Sequence, residues 1–269
     1  MTSTTSTFSA HDAAAYEQMM GRWSRRLAPL FIQFGGVGAG ERVLDLGCGT
    51  GVLSEALLEA APDVAVHGVD VAPSYVAEAQ RRLGGRATFA EGDACRVGLA
   101  DASFDRVLSL LVLHFVPEPQ RAIAEMRRVC RPGGTIAAAV WDARGGYVVN
   151  RMFFDTAAML DDEAAALRKR NFTRPLTRPG QLGQAWQNAG LTDVVETQLL
   201  IRMTYANFED WWSPFLGREG PIAAYVSGLD EGRRHRLREA LRAAYLDGEE
   251  DGPRSYAAVA WAVRGHVPA

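Results

Sequence analysis

Short apolar runs alternate with segments of helical spacing along most of the chain. Runs at 42–46, 64–69, 87–90, 104–110 and 135–141 have strand length, and each leads into a helical pattern or a short loop. Strands alternating with helices predict crossover units and a parallel sheet covered on both faces, an α/β fold. Pro73 and Pro117 are placed as first-turn prolines of helices ending near Leu83 and Val129. Arg131-Pro132-Gly133-Gly134 breaks the second of these and turns into the next strand. Ahead of the first strand, Tyr16, Met20, Trp23, Leu27 and Phe31 recur at three- and four-residue steps and give one apolar helix face.

The pattern loosens over 143–177. Phe153, Thr156, Ala157 and Leu160 keep helical spacing, and Arg168-Lys169-Arg170 and two proline-containing turns follow, so this stretch is expected as an insertion. Regular structure resumes with a helix at 181–189, a strand at 192–204, an arginine-rich helix at 231–245 and a buried strand at 256–263.

Composition changes the picture mainly by exclusion. The 269 residues are 48% hydrophobic with a net charge of −3, enough apolar material for a large core and too little charge to gather phosphates from a distance. Nucleic acid is therefore not expected as a partner. In the arginine-rich helix, Leu237, Leu241 and Tyr245 form a stripe that Arg233, Arg234, Arg236 and Arg238 surround, the pattern of a solvated face. No uninterrupted apolar run approaches the roughly 20 residues that span a bilayer, so no membrane partner is expected. Residues 1–12, MTSTTSTFSAHD, read as a flexible polar tail without the apolar block of a secretory signal. Cys48, Cys95 and Cys130 have neither metal-ligand nor disulfide spacing, which points to a reducing, cytoplasmic setting. His11, His67, His235 and His266 fall at unrelated places and suggest no metal.

Candidate chemistry starts where the first strand hands over to the first helix, in Leu44-Asp45-Leu46-Gly47-Cys48-Gly49-Thr50-Gly51. Glycines there let a ligand approach the backbone, and the helix beyond presents free N–H groups and a positive dipole end. The spacing is G-x-G-x-G and not the G-x-G-x-x-G of dinucleotide sites, so a nucleotide-like ligand is indicated, and nicotinamide or flavin cofactors are less well supported. Asp70 ends the second strand about twenty residues on, where a carboxylate accepts from both hydroxyls of a ribose. After the third strand, Glu91-Gly92-Asp93-Ala94 offers Asp93 to an adenine amino group and the Ala94 N–H to a ring nitrogen. Each acid alone has a second reading as a loop or cap residue. Three carboxylates, Asp45, Asp70 and Asp93, at the ends of successive strands favour a shared crevice.

With these segments, and with FDRVLSLLVLHFVPEPQRAIAEMRRVCRPGGTIAAAVWD after them, the chain resembles the class I S-adenosylmethionine-dependent methyltransferases, in the small-molecule branch that includes the ubiquinone- and menaquinone-type enzymes. The resemblance is strong over 41–142 and weaker beyond. It implies a Rossmann-like doubly wound seven-stranded sheet, mostly parallel with an antiparallel last strand, and a helical insertion after strand five. It implies one methyltransferase domain over 13–269, with N-terminal cap helices at 13–40 and a substrate-side insertion at 143–180. It also implies S-adenosyl-L-methionine as cofactor and S-adenosyl-L-homocysteine as product. Asp45, Gly47, Cys48 and Gly49 would hold the amino-acid half, Asp70 and Val71 the ribose, Asp93 and Ala94 the adenine, and Ser109 and Leu110 the methionine portion. Tyr16, Arg22 and Trp23, in YEQMMGRWSRR, would close over the cofactor, with Arg22 on its carboxylate; packing into the core is the other reading of this helix.

His114, in VLHFVP after the fourth strand, has two readings, a general base or a wall of the pocket. The chain reads Leu110-Leu111-Val112-Leu113-His114 where amino-methylating enzymes carry Asn or Asp, two prolines and an aromatic residue. No Pro-Cys pair occurs there, and Asp142 lacks partners for a catechol-type metal site. What remains is a small organic acceptor methylated on oxygen, nitrogen or activated carbon, with Trp141, Tyr147, Phe153, Trp211 and Trp212 as candidate pocket walls, drawn from a set of rings that also holds Phe154, Tyr205, Phe208 and Phe215. Ordinary helix packing is the alternative for about half of these rings. A protein that binds the cofactor without transferring its methyl, a sensor or a partner subunit, is the competing function class. A monomer or a homodimer is expected.

Overall fold

The computed structural model describes residues 6–7, 12–61, 63–217 and 219–269. Chain order runs α1 (Ala13–Tyr16), α2 (Arg22–Gly35), β1 (Arg42–Leu46), α3 (Val52–Ala60), β2 (Ala65–Asp70), α4 (Pro73–Leu83), β3 (Thr88–Glu91), β4 (Phe104–Leu110), α5 (Pro119–Val129) and β5 (Cys130–Trp141). It continues with α6 (Val148–Ala158), α7 (Asp162–Phe172), α8 (Gln181–Asn188), β6 (Thr192–Tyr205), α9 (Phe208–Trp212), α10 (Gly220–Gly228), α11 (Glu231–Leu246) and β7 (Arg254–His266). Seven strands form one sheet in the order β3-β2-β1-β4-β5-β7-β6. The first five pair in parallel, while β7 runs antiparallel to both β5 and β6, as the sequence implies. The order reverses between β1 and β4, so the crevice of a doubly wound sheet opens at the carboxyl ends of these strands.

Side-chain alternation builds two cores. Along β5, Ala137, Ala139 and Trp141 join Leu27 and Phe31 of α2, Leu57 of α3 and Phe153 of α6 on one face. Ile136, Ala138 and Val140 join Ile123 and Met126 of α5 and Trp186 of α8 on the other. The insertion after β5 is the pair α6 and α7, and three helices, α9, α10 and α11, lie between β6 and β7. In α11 the stripe Leu237, Leu241 and Tyr245 is buried, and Arg233 and Arg238 reach Asp161 and Glu209, each at 3.1 Å, so these arginines tie helices together.

Three local expectations need correction. Pro119, not Pro117, occupies the first turn of α5, because Glu118 is the residue that caps it. The apolar stripe of the N-terminal helix is not continuous: a π-helical turn, Glu17–Gly21, separates α1 from α2 and changes the phase. Trp23, Leu27 and Phe31 consequently enter the core, whereas Tyr16 and Met20 reach the crevice. Of the tail 1–12, only Ser6, Thr7 and Asp12 are described, and His11 lies outside the described residues. Thr7 donates from its backbone N–H (2.9 Å) and its hydroxyl (3.1 Å) to the Phe115 carbonyl, so this part of the expected loose tail is docked.

Candidate functional site

Two adjoining cavities lie at the carboxyl ends of β1, β2 and β4. The first is built on the glycine turn. Gly47, Gly49 and Gly51 have φ of +77, +53 and +86°, values that L side chains rarely adopt. A Cβ on Gly47 would strike Val112 at 2.3 Å, whereas one on Gly49 would meet nothing within 4 Å, so the missing side chain of Gly49 leaves open space in the cavity. Asp70 holds this turn in place. Its Oδ2 accepts from the Gly49 N–H and its Oδ1 from the Ala72 N–H, both at 2.9 Å. Burial raises its pKa against the lowering effect of these bonds.

Asp45 ends β1 beneath the turn and is 1% exposed. Its Oδ2 accepts from the Ser54 hydroxyl at 2.7 Å. Burial, with the nearby Asp70 charge adding to it, pushes its carboxyl up to about 7. Tyr16, Gly47, Cys48, Val71, Ala94 and Leu110 line the same cavity.

Other expected cofactor residues lie elsewhere. Trp23 is 2% exposed and packs edge-on against Tyr205 at 5.2 Å, outside both cavities. Ser109 is fully buried, and its hydroxyl has no partner among the described residues. It does not line the crevice, whereas its neighbour Leu110 does. Asp93 sits between the lining residues Gly92 and Ala94 without lining the cavity, and its Oδ1 accepts from the Cys95 N–H at 2.8 Å. Arg22 faces the second cavity rather than the first, where Asp210 binds it at 2.8 Å and its guanidinium stacks on Trp23 and Tyr205.

The second cavity is walled by Tyr147 and Trp211, as anticipated, but by Phe154 in place of Phe153 and by Phe215 in place of Trp212. Phe153 and Trp212 are 0% and 1% exposed and point into the core, where Trp212 stacks on Phe208. His114 lines this cavity from a short 3-10 turn, Leu113–Phe115. Its Nδ1 is buried without a partner among the described residues, and burial, reinforced by the charge of Arg174, holds its pKa well below 6.5. The imidazole is therefore neutral at pH 7.

Met19, Met20, Phe115 and Trp141 line both cavities and mark where they meet. Trp141 packs against Tyr147 with the rings tilted and their centroids 5.0 Å apart, and its buried indole N–H has no partner among the described residues. The two methionines belong to the π-helical turn, which the apolar stripe did not reveal. Asn150, Asn171 and Arg174 also line the second cavity, and no pattern in the sequence marked them. Among the described residues no group of three or more His, Cys, Asp or Glu is placed to hold a metal, and no helix is long and apolar enough to cross a membrane.

Comparison with known proteins agrees with this geometry. A methyltransferase domain model matches residues 44–138. The chain is similar to the demethylmenaquinone methyltransferase of Renibacterium salmoninarum, 38% identical over 116 residues, which are 43% of this chain and 48% of that protein. It is also similar to the 27-O-demethylrifamycin SV methyltransferase of Amycolatopsis mediterranei, 34% identical over 131 residues, 47% of this chain and 46% of that one. The match thus spans about half the length of these curated relatives. In fold it is similar to the phosphoethanolamine N-methyltransferase 2 of Haemonchus contortus, solved in complex with S-adenosyl-L-methionine, with a TM-score of 0.60 at 18% identity, covering 96% of this chain and 57% of that one. The chain thus matches a methyltransferase domain model over residues 44–138 and shares the fold of the class I S-adenosylmethionine-dependent methyltransferases.

Proposed function

We propose that the protein transfers the methyl group of S-adenosylmethionine to an oxygen, nitrogen or activated carbon of a small organic molecule held in the second cavity. The observation that carries this reading is the junction at Met19, Met20, Phe115 and Trp141, where a nucleotide-type cavity opens onto an apolar, ring-lined one. The similarity to proteins named for demethylmenaquinone and a rifamycin as substrates supports a small organic acceptor. The three free cysteines fit a reducing, cytoplasmic setting.

The residues of the first cavity suit the cofactor. Asp70, fixed by two backbone N–H groups, keeps lone pairs on both oxygens for two ribose hydroxyls. Gly49 leaves room against the backbone, Asp45 offers a carboxylate to the amino group, and Gly92 and Ala94 bound the adenine side. The cofactor supplies an electrophilic methyl on a sulfonium, whose C–S electron pair stays on sulfur as the acceptor's lone pair forms the new bond. Met19, Met20, Phe115 and Trp141 position the acceptor at the junction and exclude water from it. A ring nitrogen of the neutral His114 takes the acceptor's proton where the acceptor still holds one.

Release of S-adenosylhomocysteine over a panel of phenols, carboxylic acids and amines tests the activity. Tight cofactor binding with no turnover across the panel would favour a non-catalytic binding role. Asp70→Ala is expected to weaken S-adenosylhomocysteine binding by on the order of 10² or more, since each bond to a charged acceptor is worth about 1.5–3 kcal/mol. Unchanged affinity in titration calorimetry would remove the ribose assignment.

A further inference from the structure

The second cavity holds a cation with no carboxylate partner among the described residues. Arg174 lies in the connection between α7 and α8 and lines the cavity, with its guanidinium 4.3 Å above the Phe115 ring. Burial draws its pKa down to about 10, and no carboxylate among the described residues offsets that pull, so the group stays charged at neutral pH. The other charges on the cavity wall are occupied. Arg22 is paired with Asp210, and the Glu219 oxygens accept from the Asp12 N–H and, at 2.6 Å, from the Tyr75 hydroxyl.

The groups beside Arg174 are neutral and include donors. His114 is held in its uncharged form partly by the arginine itself. Asn171 donates to the Asn150 amide oxygen at 3.0 Å, which leaves the Asn150 N–H₂ without an acceptor among the described residues. A half-buried guanidinium whose charge meets an aromatic face and no carboxylate among the described residues is stabilised by a planar oxyanion, which it binds through paired N–H donors.

We propose that the methyl acceptor is an apolar organic anion whose oxyanion group pairs with Arg174 and Asn150 while its hydrocarbon part fills the wall of Tyr147, Phe154 and Trp211. This rests on the reading that the second cavity takes the acceptor. Arg174 then selects among acceptors by charge and orients the bound one, without a part in the methyl transfer itself.

A matched pair of fluorescent probes tests the charge preference without knowledge of the natural acceptor. 8-Anilinonaphthalene-1-sulfonate and N-phenyl-1-naphthylamine share one ring system and differ in the sulfonate. On the full chain loaded with S-adenosylhomocysteine, the sulfonate is expected to bind about tenfold tighter than the neutral amine or better. Arg174→Met is expected to abolish that preference while leaving the amine and S-adenosylhomocysteine affinities unchanged, and Arg174→Lys to retain part of it. Equal binding of the two probes to the wild type, an Arg174→Met variant that keeps its preference, or no sulfonate binding at all would overturn the proposal. If Arg174→Met does not fold, the wild-type contrast and Arg174→Gln decide the matter. Failure of S-adenosylhomocysteine to bind the wild type would instead strike the methyltransferase reading, and the probe contrast is then measured on the unloaded chain.

Discussion

Replacing Asp45 by asparagine is expected to stabilise the ligand-free chain at neutral and alkaline pH. Asp45 is 1% exposed, and burial, with Asp70 close by, lifts its carboxyl from the usual 3.8 to about 7. The unfolded chain loses this proton near 3.8, while the folded chain keeps it up to about 7. Within that window unfolding releases a proton, so the full contribution to stability exists only below the window and is lost as pH rises through it. A gap of roughly three pKa units corresponds to about 4 kcal/mol by pH 8, at 1.36 kcal/mol per unit. Asparagine keeps an oxygen for the Ser54 hydroxyl and has no charge to bury, so it escapes this penalty. Its advantage over the wild type should grow by about 3 kcal/mol between pH 5 and pH 8. Urea unfolding of both proteins at the two pH values measures this. The difference between them cancels carboxylates such as Glu41 and Asp105, whose lowered pKa acts in the opposite sense. An advantage independent of pH, or a variant less stable than the wild type at pH 8, would refute the reasoning. A buried acid that costs stability in the empty protein is reasonable where a cationic ligand group requires it.

For His114→Gln, kcat should fall by on the order of 10² while S-adenosylhomocysteine affinity is kept, because the residue lines only the second cavity. Since burial and Arg174 hold its pKa well below 6.5, the wild-type kcat plateau should extend below pH 6.5 before it drops; full activity of the variant across the pH range would end the base assignment. Gly68→Ala tests the floor of the glycine turn. A Cβ there would lie 2.5 Å from the Phe89 ring and 2.9 Å from the Cys48 Cβ, and overpacking of this kind costs about 1–3 kcal/mol, measurable by urea unfolding. A variant as stable as the wild type would show that β2 and β3 can separate at no cost.

The sheet and its glycine turn were readable in the sequence because both rest on local chemistry. Short apolar runs of strand length mark the buried strands, and a G-x-G-x-G run after a strand needs positive φ, which Gly47, Gly49 and Gly51 supply. Of the strand neighbours Ser109 and Leu110, which the family resemblance paired at the cofactor, only Leu110 lines the crevice. Among the rings, the pattern fixed where aromatic side chains occur and not which of two neighbours faces the cavity. Phe153 and Phe154 differ by about 100° around α6, and only the packing of α6 beneath α7 and α11 decides between them. The π-helical turn is a defect in periodicity, visible once Trp23 and Met20 are seen to serve different surroundings. Arg174 had no signature at all, since a single arginine before a proline looks like any loop charge. Its significance comes from the lack of a carboxylate partner among the described residues around it, and that is why the acceptor's charge becomes a testable property only after the helices of the insertion have been packed over the sheet.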